Sequence, residues 1–547
     1  MSRIEDRIRE VFRGEISSDP QTLDSYSKDA SLFQVRPRLV LFPQDRDDVK
    51  HIVAFVREHT EEKLSVTCRA GGSDMSGGPL GEGIIMDMTK HMNKVLEIKS
   101  DYARVEPGCW YRDFERETLK RNLLLPSFPA SREICTVGGM VANNAGGEKS
   151  LQYGKTEKYI KQLKVVLADG NEYAFSPLSR LELEEKTRLA TFEGEIYQKM
   201  RNIVHNNYDM LQEAKPRVSK NSAGYALWNV WNKETDTFDL TQLFCGSQGT
   251  LGVITEITFG LVAPRPNSCL LVMFLKDLDP LAEITSAVLL QKPETFELYD
   301  DNAFKLALRF FPDFIKRLKG NIISLGLQFI PEFFMLLQGG IPKLILLAEF
   351  TGNSAEEARE KAKAAQRAVA AYPITSRIAK NETEAQKYIV MRRESFDLLR
   401  KHAHGMRTAP FIDDLVVRAE DLERFLPKLQ ALLAEYPDLL YTLQGHVGDG
   451  NLHVIPLIKM KDVPAAKKTI EELSKKVYQL VLDFHGSITA EHNDGIIRTP
   501  FLLQMYGERV TALFEETKRA FDPDNMFNPG KKVDGTFEYA MSHIVSS

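Results

Sequence analysis

Two histidines flank a short polar run in GHVGDGNLH, residues 445–453. If Asp449 and Gly450 form the centre of a two-residue hairpin turn, which Asp-Gly favours between extended segments, His446 stands directly opposite His453. Directly opposed residues share one face of a sheet, with Cβ atoms roughly 5 Å apart. Two imidazoles at that spacing can bind one metal ion, but they can also simply pack and hydrogen-bond. The local sequence therefore permits a metal site without requiring one.

Three clusters of small residues are the second chemical signal: CRAGGSDMSGG at 68–78, TVGGMVANNAGG at 136–147 and GSQGTLGVITE at 246–256. A glycine-rich loop after a strand can direct successive backbone N–H groups at one point, which suits a phosphate. The first cluster matches neither GxGxxG nor GxxxxGK[ST], and a tight structural loop explains it equally well. Three separated clusters, each costing backbone entropy, favour an extended ligand such as a flat cofactor with a diphosphate.

The elements that must position these segments alternate between strands and helices. The segment RPRLVLFPQDRDDVKHIVAFVREH predicts a strand and then a helix entered at Asp45, and KLSVTCR, GIIMDMT, KVLEI and ARVEPG predict further strands. Asp169-Gly170 predicts a second hairpin. After Pro266, two strand–helix–strand units predict an antiparallel sheet covered by helices. No long linker separates the two regions, so a cleft between them is the expected ligand site.

Composition narrows the class of protein. A chain of 547 residues with 43% apolar and 27% charged residues is expected to be soluble, with two or three domains. A net charge of -5 gives no case for nucleic-acid binding. The five cysteines are scattered without a CxxC pair, which argues against a disulfide framework, an iron–sulfur cluster or a cysteine zinc site and favours the reduced cytoplasm. The charged first helix lacks the features of an export signal.

One strongly apolar segment, NIISLGLQFIPEFFMLLQGG at 321–340, departs from this soluble pattern. Gln328, Pro331 and Glu332 interrupt it, and it is too short for a clean membrane span. It predicts either peripheral contact with the cytoplasmic membrane or a buried or partner-covered insertion.

Taken together, these clusters with VEPG, GHVGDGNLH, AEH and FDPDNMFNPGK resemble the FAD-linked oxidoreductases of the vanillyl-alcohol oxidase (PCMH) type. The resemblance runs from about residue 35 to residue 532 and is to the branch of D-lactate, glycolate and D-2-hydroxyglutarate dehydrogenases. It implies an α+β fold with a PCMH-type FAD-binding domain of two α/β subdomains over residues 1–265. A ferredoxin-like antiparallel-sheet substrate domain would cover 266–499, with an apolar insertion near 311–342, and a C-terminal helical segment over 500–547 would return to the flavin.

The resemblance also implies which residues contact FAD. The loop around the pyrophosphate would be Arg69, Ala70, Gly71, Gly72, Ser73 and Asp74. The flavin-lining segments would be Pro107 and Gly108, then Gly138, Gly139, Asn143, Asn144, Ala145 and Gly147. The adenine side would be Gly249, Thr250, Val253 and Ile254, with Asn528 beside the flavin ring. The pyrophosphate loop lacks the histidine through which relatives often tether FAD, so non-covalent FAD is expected.

The catalytic residues follow from the same resemblance. In relatives, two histidines and a glutamate bind a divalent metal, usually zinc, and these would be His446, His453 and Glu491. His492 matches the base that takes the hydroxyl proton of a 2-hydroxy acid while hydride passes to flavin N5. Arg393 matches an arginine near the substrate carboxylate. Its neighbour Arg392, or a plain salt-bridge role for Arg393, stays open.

Departures from the family pattern bear on the substrate. EHNDG replaces E-H-G-[IV]-G, and Gln248 replaces a glutamate. Ile455 stands where many relatives have asparagine, and PFIDDLVV lacks a lysine common in that strand. The last two remove polar groups expected to contact a second carboxylate, which favours D-lactate or glycolate over D-2-hydroxyglutarate.

The expected function is therefore an FAD-dependent dehydrogenase of a D-2-hydroxy acid. Its electrons would pass to a quinone, a cytochrome or an iron–sulfur partner subunit. Two alternatives stay open: a flavoenzyme acting on a bulkier lipid-like substrate, resembling alkyl-glycerone-phosphate synthase, and a flavin-binding scaffold subunit. The presence of His446, His453, Glu491 and His492 together argues against a scaffold.

Overall fold

The computed structural model of the protein describes residues 2–303, 305, 340–402 and 405–545. The apolar segment 321–340 falls outside these residues except for Gly340, so neither prediction about it is tested. Among the described residues, no helix is both long and apolar enough to cross a membrane. The described chain mixes helices with four sheets, which confirms the predicted α+β class.

The strands form sheets of four, five, two and eight strands. In chain order they are β1 Glu15–Ser17, β2 Leu39–Phe42, β3 Val66–Arg69, β4 Ile84–Asp87, β5 Val95–Ile98, β6 Tyr102–Val105, β7 Ile160–Val166, β8 Glu172–Phe175, β9 Trp231–Asn232, β10 Thr237–Phe238, β11 Val253–Gly260, β12 Asn267–Leu275, β13 Thr295–Asp300, β14 Leu344–Gly352, β15 Thr375–Ile378, β16 Met406–Thr408, β17 Leu415–Val416, β18 Leu440–His446 and β19 Asn451–Lys459. The strand orders are β1-β2-β4-β3, β5-β6-β11-β7-β8, β10-β9 and β15-β12-β14-β13-β18-β19-β16, with β17 paired to β19.

The α-helices cover these sheets and connect them. They are α1 Ser2–Arg9, α2 Pro20–Tyr26, α3 Arg46–Glu58, α4 Tyr111–Leu119, α5 Val137–Asn143, α6 Ser150–Tyr153, α7 Arg180–Lys186, α8 Phe192–Asn206, α9 Tyr208–Ala214, α10 Thr241–Phe244, α11 Leu281–Leu289, α12 Ala355–Ala368, α13 Glu382–His402, α14 Leu422–Ala434, α15 Val463–Asp483, α16 Gly495–Arg498, α17 Leu502–Phe521 and α18 Phe537–Ser542.

The four-stranded sheet delivers the first glycine cluster. Its strands β2, β4 and β3 run parallel, and the cluster begins where β3 ends at Arg69. Helix α3 is entered at Asp45 as predicted, because the Asp45 carboxylate accepts the backbone N–H groups of Asp47 and Asp48. The apolar face of α3 is buried, with Ile52 and Val53 fully covered.

The five-stranded sheet carries the third glycine cluster. The predicted hairpin at Asp169-Gly170 joins β7 to β8, with Gly170 at φ +80°, a conformation that favours glycine. Strand β11 lies between β6 and β7 and begins at Val253, directly after the glycines of that cluster.

The eight-stranded sheet is antiparallel and carries the histidine hairpin β18–β19 at one side. The two predicted strand–helix–strand units contribute β12, α11 and β13, then β14, α12 and β15. Buried residues such as Leu346 on the sheet and Ala362 on α12 belong to one core. The predicted helix-covered antiparallel sheet is confirmed.

The C-terminal segment returns to the first sheet. The N–H of Val66 donates to the carbonyl of Met526 at 2.8 Å, and Phe527 forms a bridge with Val66. Phe514 and Phe521 on α17 are buried in the core of the five-stranded sheet. The chain end thus closes over the same strands that hold the glycine clusters.

Candidate active site

One cavity joins the three glycine clusters to the histidine hairpin. Its volume of about 620 Å³ lies within the range of roughly 300–1,000 Å³ usual for ligand and cofactor sites. One end is lined by glycines such as Gly71, Gly138 and Gly249, and the other by His446 and Glu491. An extended ligand in this cavity would contact both groups of residues.

The predicted FAD contacts divide into residues that line the cavity and residues behind its wall. The lining residues are Arg69, Ala70, Gly71, Gly72, Ser73, Asp74, Pro107, Gly138, Gly139, Asn143, Ala145, Gly249 and Ile254. Those outside the lining are Gly108, Asn144, Gly147, Thr250, Val253 and Asn528. Asn528 is buried, and its amide donates to the carbonyls of Gly78 and Gln248 at 2.8 and 2.7 Å. It therefore ties two loops that frame the cavity.

The glycine-lined end fits a cofactor with a diphosphate. Among the described residues, none accepts a hydrogen bond from the backbone N–H of Gly71, Gly72 or Ser73. Consecutive free N–H groups beside a cavity are suited to phosphate oxygens. At Gly249 a Cβ atom would find its nearest neighbour 3.9 Å away, so a side chain there would project into open space. Arg69 does not supply a free cation, because its guanidinium donates to the carbonyls of Tyr26 and Lys28.

The predicted register of the histidine hairpin is wrong. Residues Val447–Asp449 form a 3₁₀ turn that ends at Gly450 with φ +69°, so four residues separate the strands. His446 therefore pairs with Asn451, and His453 pairs with Gln444. A shift of two residues keeps a side chain on its original face, because the period of a strand is two. The two imidazoles still meet diagonally, with ring centroids 5.3 Å apart.

Three predicted metal ligands converge on one point. Nε2 of His446 lies 3.3 Å from Oε1 of Glu491, and Nε2 of His453 lies 3.4 Å from the same oxygen. All three side chains are buried. Nδ1 of His446 donates to Oε1 of Glu297 at 2.8 Å, and Nδ1 of His453 donates to Oδ1 of Asp413 at 3.2 Å.

This donor set fits a divalent metal. When both imidazoles are neutral and carry their proton at Nδ1, the two Nε2 atoms and the glutamate oxygen each offer a lone pair to a shared cation. Zinc with ligands at about 2.0–2.1 Å in tetrahedral geometry separates those ligands by about 3.3–3.4 Å. The carboxylates behind the two histidines are the outer contacts that metal-binding imidazoles usually make.

Asp414 is a structural group although it lies near these ligands. Oxygens or nitrogens of Asp414, His453, Glu491 and His492 lie within 4.8 Å of one another. Oδ2 of Asp414, however, already accepts the backbone N–H groups of Ala490, Glu491 and His492 and the hydroxyl of Thr489. This carboxylate fixes the backbone of the loop that carries Glu491 and His492.

His492 lines the cavity beside the predicted metal ligands. Its Nδ1 lies 2.7 Å from Oδ2 of Asp413, and its ring stacks on that of His453 with centroids 5.0 Å apart. Burial opposes a positive charge on His492, but Asp413 raises its pKa above the ordinary value. Asp413 likewise outweighs burial at His453 and raises its pKa to about 10. A bound divalent cation would act in the opposite direction, since it repels protons from the same nitrogens.

Both candidate arginines line the cavity. Nη2 of Arg393 donates to both oxygens of Glu148, at 2.7 and 2.6 Å. Burial alone would raise the pKa of Glu148, but Arg393 outweighs it and lowers the pKa to about 2. Arg392 forms an ion pair with Glu297, the carboxylate behind His446. Within the described part of the chain, no acceptor is hydrogen-bonded to Nε or Nη1 of Arg393.

A buried lysine behind the predicted metal ligands was not predicted from the sequence. Nζ of Lys220 lies 3.1 Å from Oε2 of Glu491 and 3.0 Å from Oδ2 of Asp449, with all three side chains buried. Burial alone would raise the pKa of Glu491, but Lys220 holds it well below its usual range. Lys220 and Glu491 are 271 residues apart in the chain, so no local pattern links them.

The two carboxylates behind the histidines were also missed. Glu297 lies in the apolar segment TFELYD and Asp413 in PFIDDLVV. A charged residue inside an apolar strand pattern is rarely buried without a partner. This pattern could have indicated that Glu297 and Asp413 are buried and paired.

The departures at EHNDG and GSQGT are explained by hydrogen bonds and an ion pair between the loops that frame the cavity. The amide of Asn493 donates to the carbonyl of Gly246 at 2.9 Å, and Oδ2 of Asp494 lies 2.8 Å from Nζ of Lys532. The Gln248 amide oxygen accepts the N–H of Gly495 at 2.8 Å. These side chains join the loop of His492 to the third glycine cluster.

Two known protein-family models match this chain. The model of an FAD binding domain matches residues 37–176, and that of the C-terminal domain of FAD linked oxidases matches residues 265–532. The chain belongs to the FAD-linked oxidases. The first two glycine clusters lie within the match to the FAD binding domain.

The chain is also similar to individual relatives and to a solved structure. The chain is 30% identical over 95% of its length to a D-2-hydroxyglutarate dehydrogenase of Pseudomonas putida, and it spans 50% of that longer protein. It is 26% identical to glycolate oxidase subunit GlcD of Bacillus subtilis, covering 92% of this chain and 91% of GlcD. The structure of p-cresol methylhydroxylase matches with a TM-score of 0.68 at 16% identity, over 97% of this chain and 96% of that one. This likeness confirms the predicted PCMH-type fold.

Proposed function

We propose that the protein is an FAD-dependent dehydrogenase that oxidises a D-2-hydroxy acid to the 2-oxo acid. The observation that carries this proposal is the single cavity, which joins a glycine-lined end to a cluster of histidines, a glutamate and arginines. FAD bound without a covalent link supplies the acceptor for the hydride that leaves Cα of the substrate. The family FAD-binding domain supports this cofactor.

His492 is the proposed base. Its Nδ1 lies 2.7 Å from Oδ2 of Asp413, so we assign the uptake of the substrate hydroxyl proton to the other ring nitrogen, Nε2. His446, His453 and Glu491 would hold a divalent metal, expected to be zinc, whose chemistry is to polarise the substrate oxygens. Support for the metal comes from the convergence of their three lone pairs.

Arg393 is the proposed anchor for the substrate carboxylate. Among the described residues, Glu148 is the acceptor hydrogen-bonded to this guanidinium, and it binds Nη2, which leaves Nε and Nη1 for a carboxylate. Because Glu148 also holds the side chain in place, Arg393 loses little conformational freedom when the substrate binds.

The substrate class is a short D-2-hydroxy acid. Ile455 follows His453 on the same strand face and lines the cavity, where it offers no hydrogen bond to a second carboxylate. This favours D-lactate or glycolate. The Pseudomonas putida relative is named for D-2-hydroxyglutarate, so that acid is tested alongside them. Electrons would leave to a quinone, a cytochrome or an iron–sulfur partner, and the name of GlcD as a subunit supports a partner protein.

The deciding experiment is an anaerobic titration of the FAD-loaded protein with D-lactate, L-lactate, glycolate and D-2-hydroxyglutarate, followed by flavin absorbance. We expect bleaching by at least one acid of the D series or by glycolate. His492→Gln should keep FAD and slow bleaching by roughly 10²- to 10⁴-fold. Bound FAD that none of the four acids bleaches would refute the proposed function.

A further inference from the structure

We propose that Asp413 is a positioning residue that orients both the expected metal ligand His453 and the expected base His492 with one carboxylate. Oδ1 of Asp413 accepts from Nδ1 of His453 at 3.2 Å, and Oδ2 lies 2.7 Å from Nδ1 of His492. The two oxygens thus serve two rings with different tasks. The proposal rests on the proposed function, because it assigns those tasks to the rings.

The position of Asp413 relative to His492 is fixed by a buried arginine. Nη2 of Arg498 donates to the backbone carbonyl of Asp413 at 2.7 Å, and Nη1 donates to that of Asn493 at 3.0 Å. The Arg498 side chain is completely buried, as is that of Asp413. One guanidinium therefore holds the two chain segments at a constant separation.

The backbone of His492 is fixed separately by Asp414, whose carboxylate accepts its N–H at 2.7 Å. What stays adjustable is the rotation of the imidazole about its own side-chain bonds. The contact with Asp413 and the stacking on His453, at 24° between ring planes, set that rotation. Both rings then keep their protons at Nδ1 and present Nε2 to the cavity.

An amide at position 413 cannot do this for both rings. A carboxylate offers two accepting oxygens, whereas the asparagine side chain offers one accepting oxygen and one donating nitrogen. In Asp413→Asn, either His453 or His492 must turn or change its tautomer. Because His453 and His492 share the carboxylate, metal binding and proton transfer should both suffer.

Glu297 provides the matched control. It accepts from Nδ1 of His446 at 2.8 Å and so supports the other histidine ligand. It also forms an ion pair with Arg392, and no contact of Glu297 with His492 is found within the described part of the chain. Glu297→Gln should therefore weaken the metal site without acting through the base.

Two measurements test the proposal on the full-length, FAD-loaded chain. Zinc affinity is measured without substrate, by competition with a chromophoric chelator. We expect both Asp413→Asn and Glu297→Gln to bind zinc about 10- to 100-fold more weakly. The rate of flavin reduction is then measured at saturating zinc for each variant, alone and combined with His492→Gln.

The combined variants distinguish the two carboxylates. If Asp413 acts through His492, Asp413→Asn with His492→Gln reduces flavin no more slowly than His492→Gln alone, whereas Glu297→Gln and His492→Gln multiply their effects. Multiplied effects for Asp413→Asn and His492→Gln would overturn the proposal, as would unchanged zinc affinity in Asp413→Asn. Should Asp413→Asn not retain FAD, Asp413→Ser takes its place in the same measurements.

Different outcomes of these measurements distinguish failure of this proposal from failure of the proposed function. If wild-type flavin is bleached by no hydroxy acid, the proposed function fails, and the zinc measurement still decides whether Asp413 supports His453. If the wild type is bleached but the two variants behave alike in both measurements, only the role of Asp413 is refuted.

Discussion

Removal of the buried Lys220 should destabilise the protein strongly. In Lys220→Met the carboxylates of Glu491 and Asp449, 3.1 and 3.0 Å from Nζ, lose their common cation while remaining buried. Breaking a buried ion pair by removing one partner costs about 3–5 kcal/mol, because the remaining charge is no longer compensated. At a denaturant dependence near 3 kcal/mol per M, the urea midpoint should fall by roughly 1–1.7 M.

A surface lysine provides the control. Lys476 lies 2.7 Å from Glu435, but both side chains are about half exposed, so water already screens their charges. Lys476→Met should leave the urea midpoint unchanged. The two substitutions are identical in chemistry and differ only in burial.

The assay is urea denaturation of the metal-free, FAD-loaded protein, followed by circular dichroism and by flavin fluorescence. We expect the urea midpoint to fall strongly in Lys220→Met and to stay unchanged in Lys476→Met. Equal midpoints for Lys220→Met and the wild type would refute this expectation, because they would mean that the two buried carboxylates are stable without the lysine.

Three further predictions address the cofactor, pH and the substrate. Gly249→Ala should weaken FAD binding about tenfold or more in a fluorescence titration, because its φ is +70° and the added methyl group lies in the cavity. The control is Gly507→Ala, whose φ is +73° but which has open space around it, and this variant should bind FAD as the wild type does. Burial lowers the pKa of Lys531 to about 8, so around and above pH 8 the unfolded chain binds more protons than the folded chain. Between pH 8 and 9.5, wild-type stability should rise by about 1.6 kcal/mol relative to that of Lys531→Met. A constant difference between their urea midpoints would contradict this. Arg393→Gln should raise the KM for the hydroxy acid by roughly 10- to 100-fold with FAD still bound, and an unchanged KM would exclude Arg393 as the anchor.

Local sequence patterns were sufficient to predict the structure wherever neighbouring residues decide it. The Asp45 side chain caps α3 because the backbone N–H groups that donate to it lie two and three residues ahead, and Gly170 closes its hairpin because glycine tolerates a positive φ. The pairing of His446 with His453 failed in register, because a 3₁₀ turn competes with the two-residue turn over the same residues. The two rings nevertheless share a face, since only the parity of the strand positions matters for that.

The sequence by itself determined the α+β class, the glycine clusters beside strands and the identity of the metal ligands and base as candidates. The class and the glycine clusters follow from short-range patterns, whereas the candidate ligands and base follow from the resemblance of the ordered motifs to a known family. Only the tertiary structure decided what surrounds those groups: Lys220 behind Glu491, Asp413 shared by two histidines and Glu148 on Arg393. These partners come from segments far apart in sequence, and a buried charge selects its partner by distance in space, which the order of residues does not record.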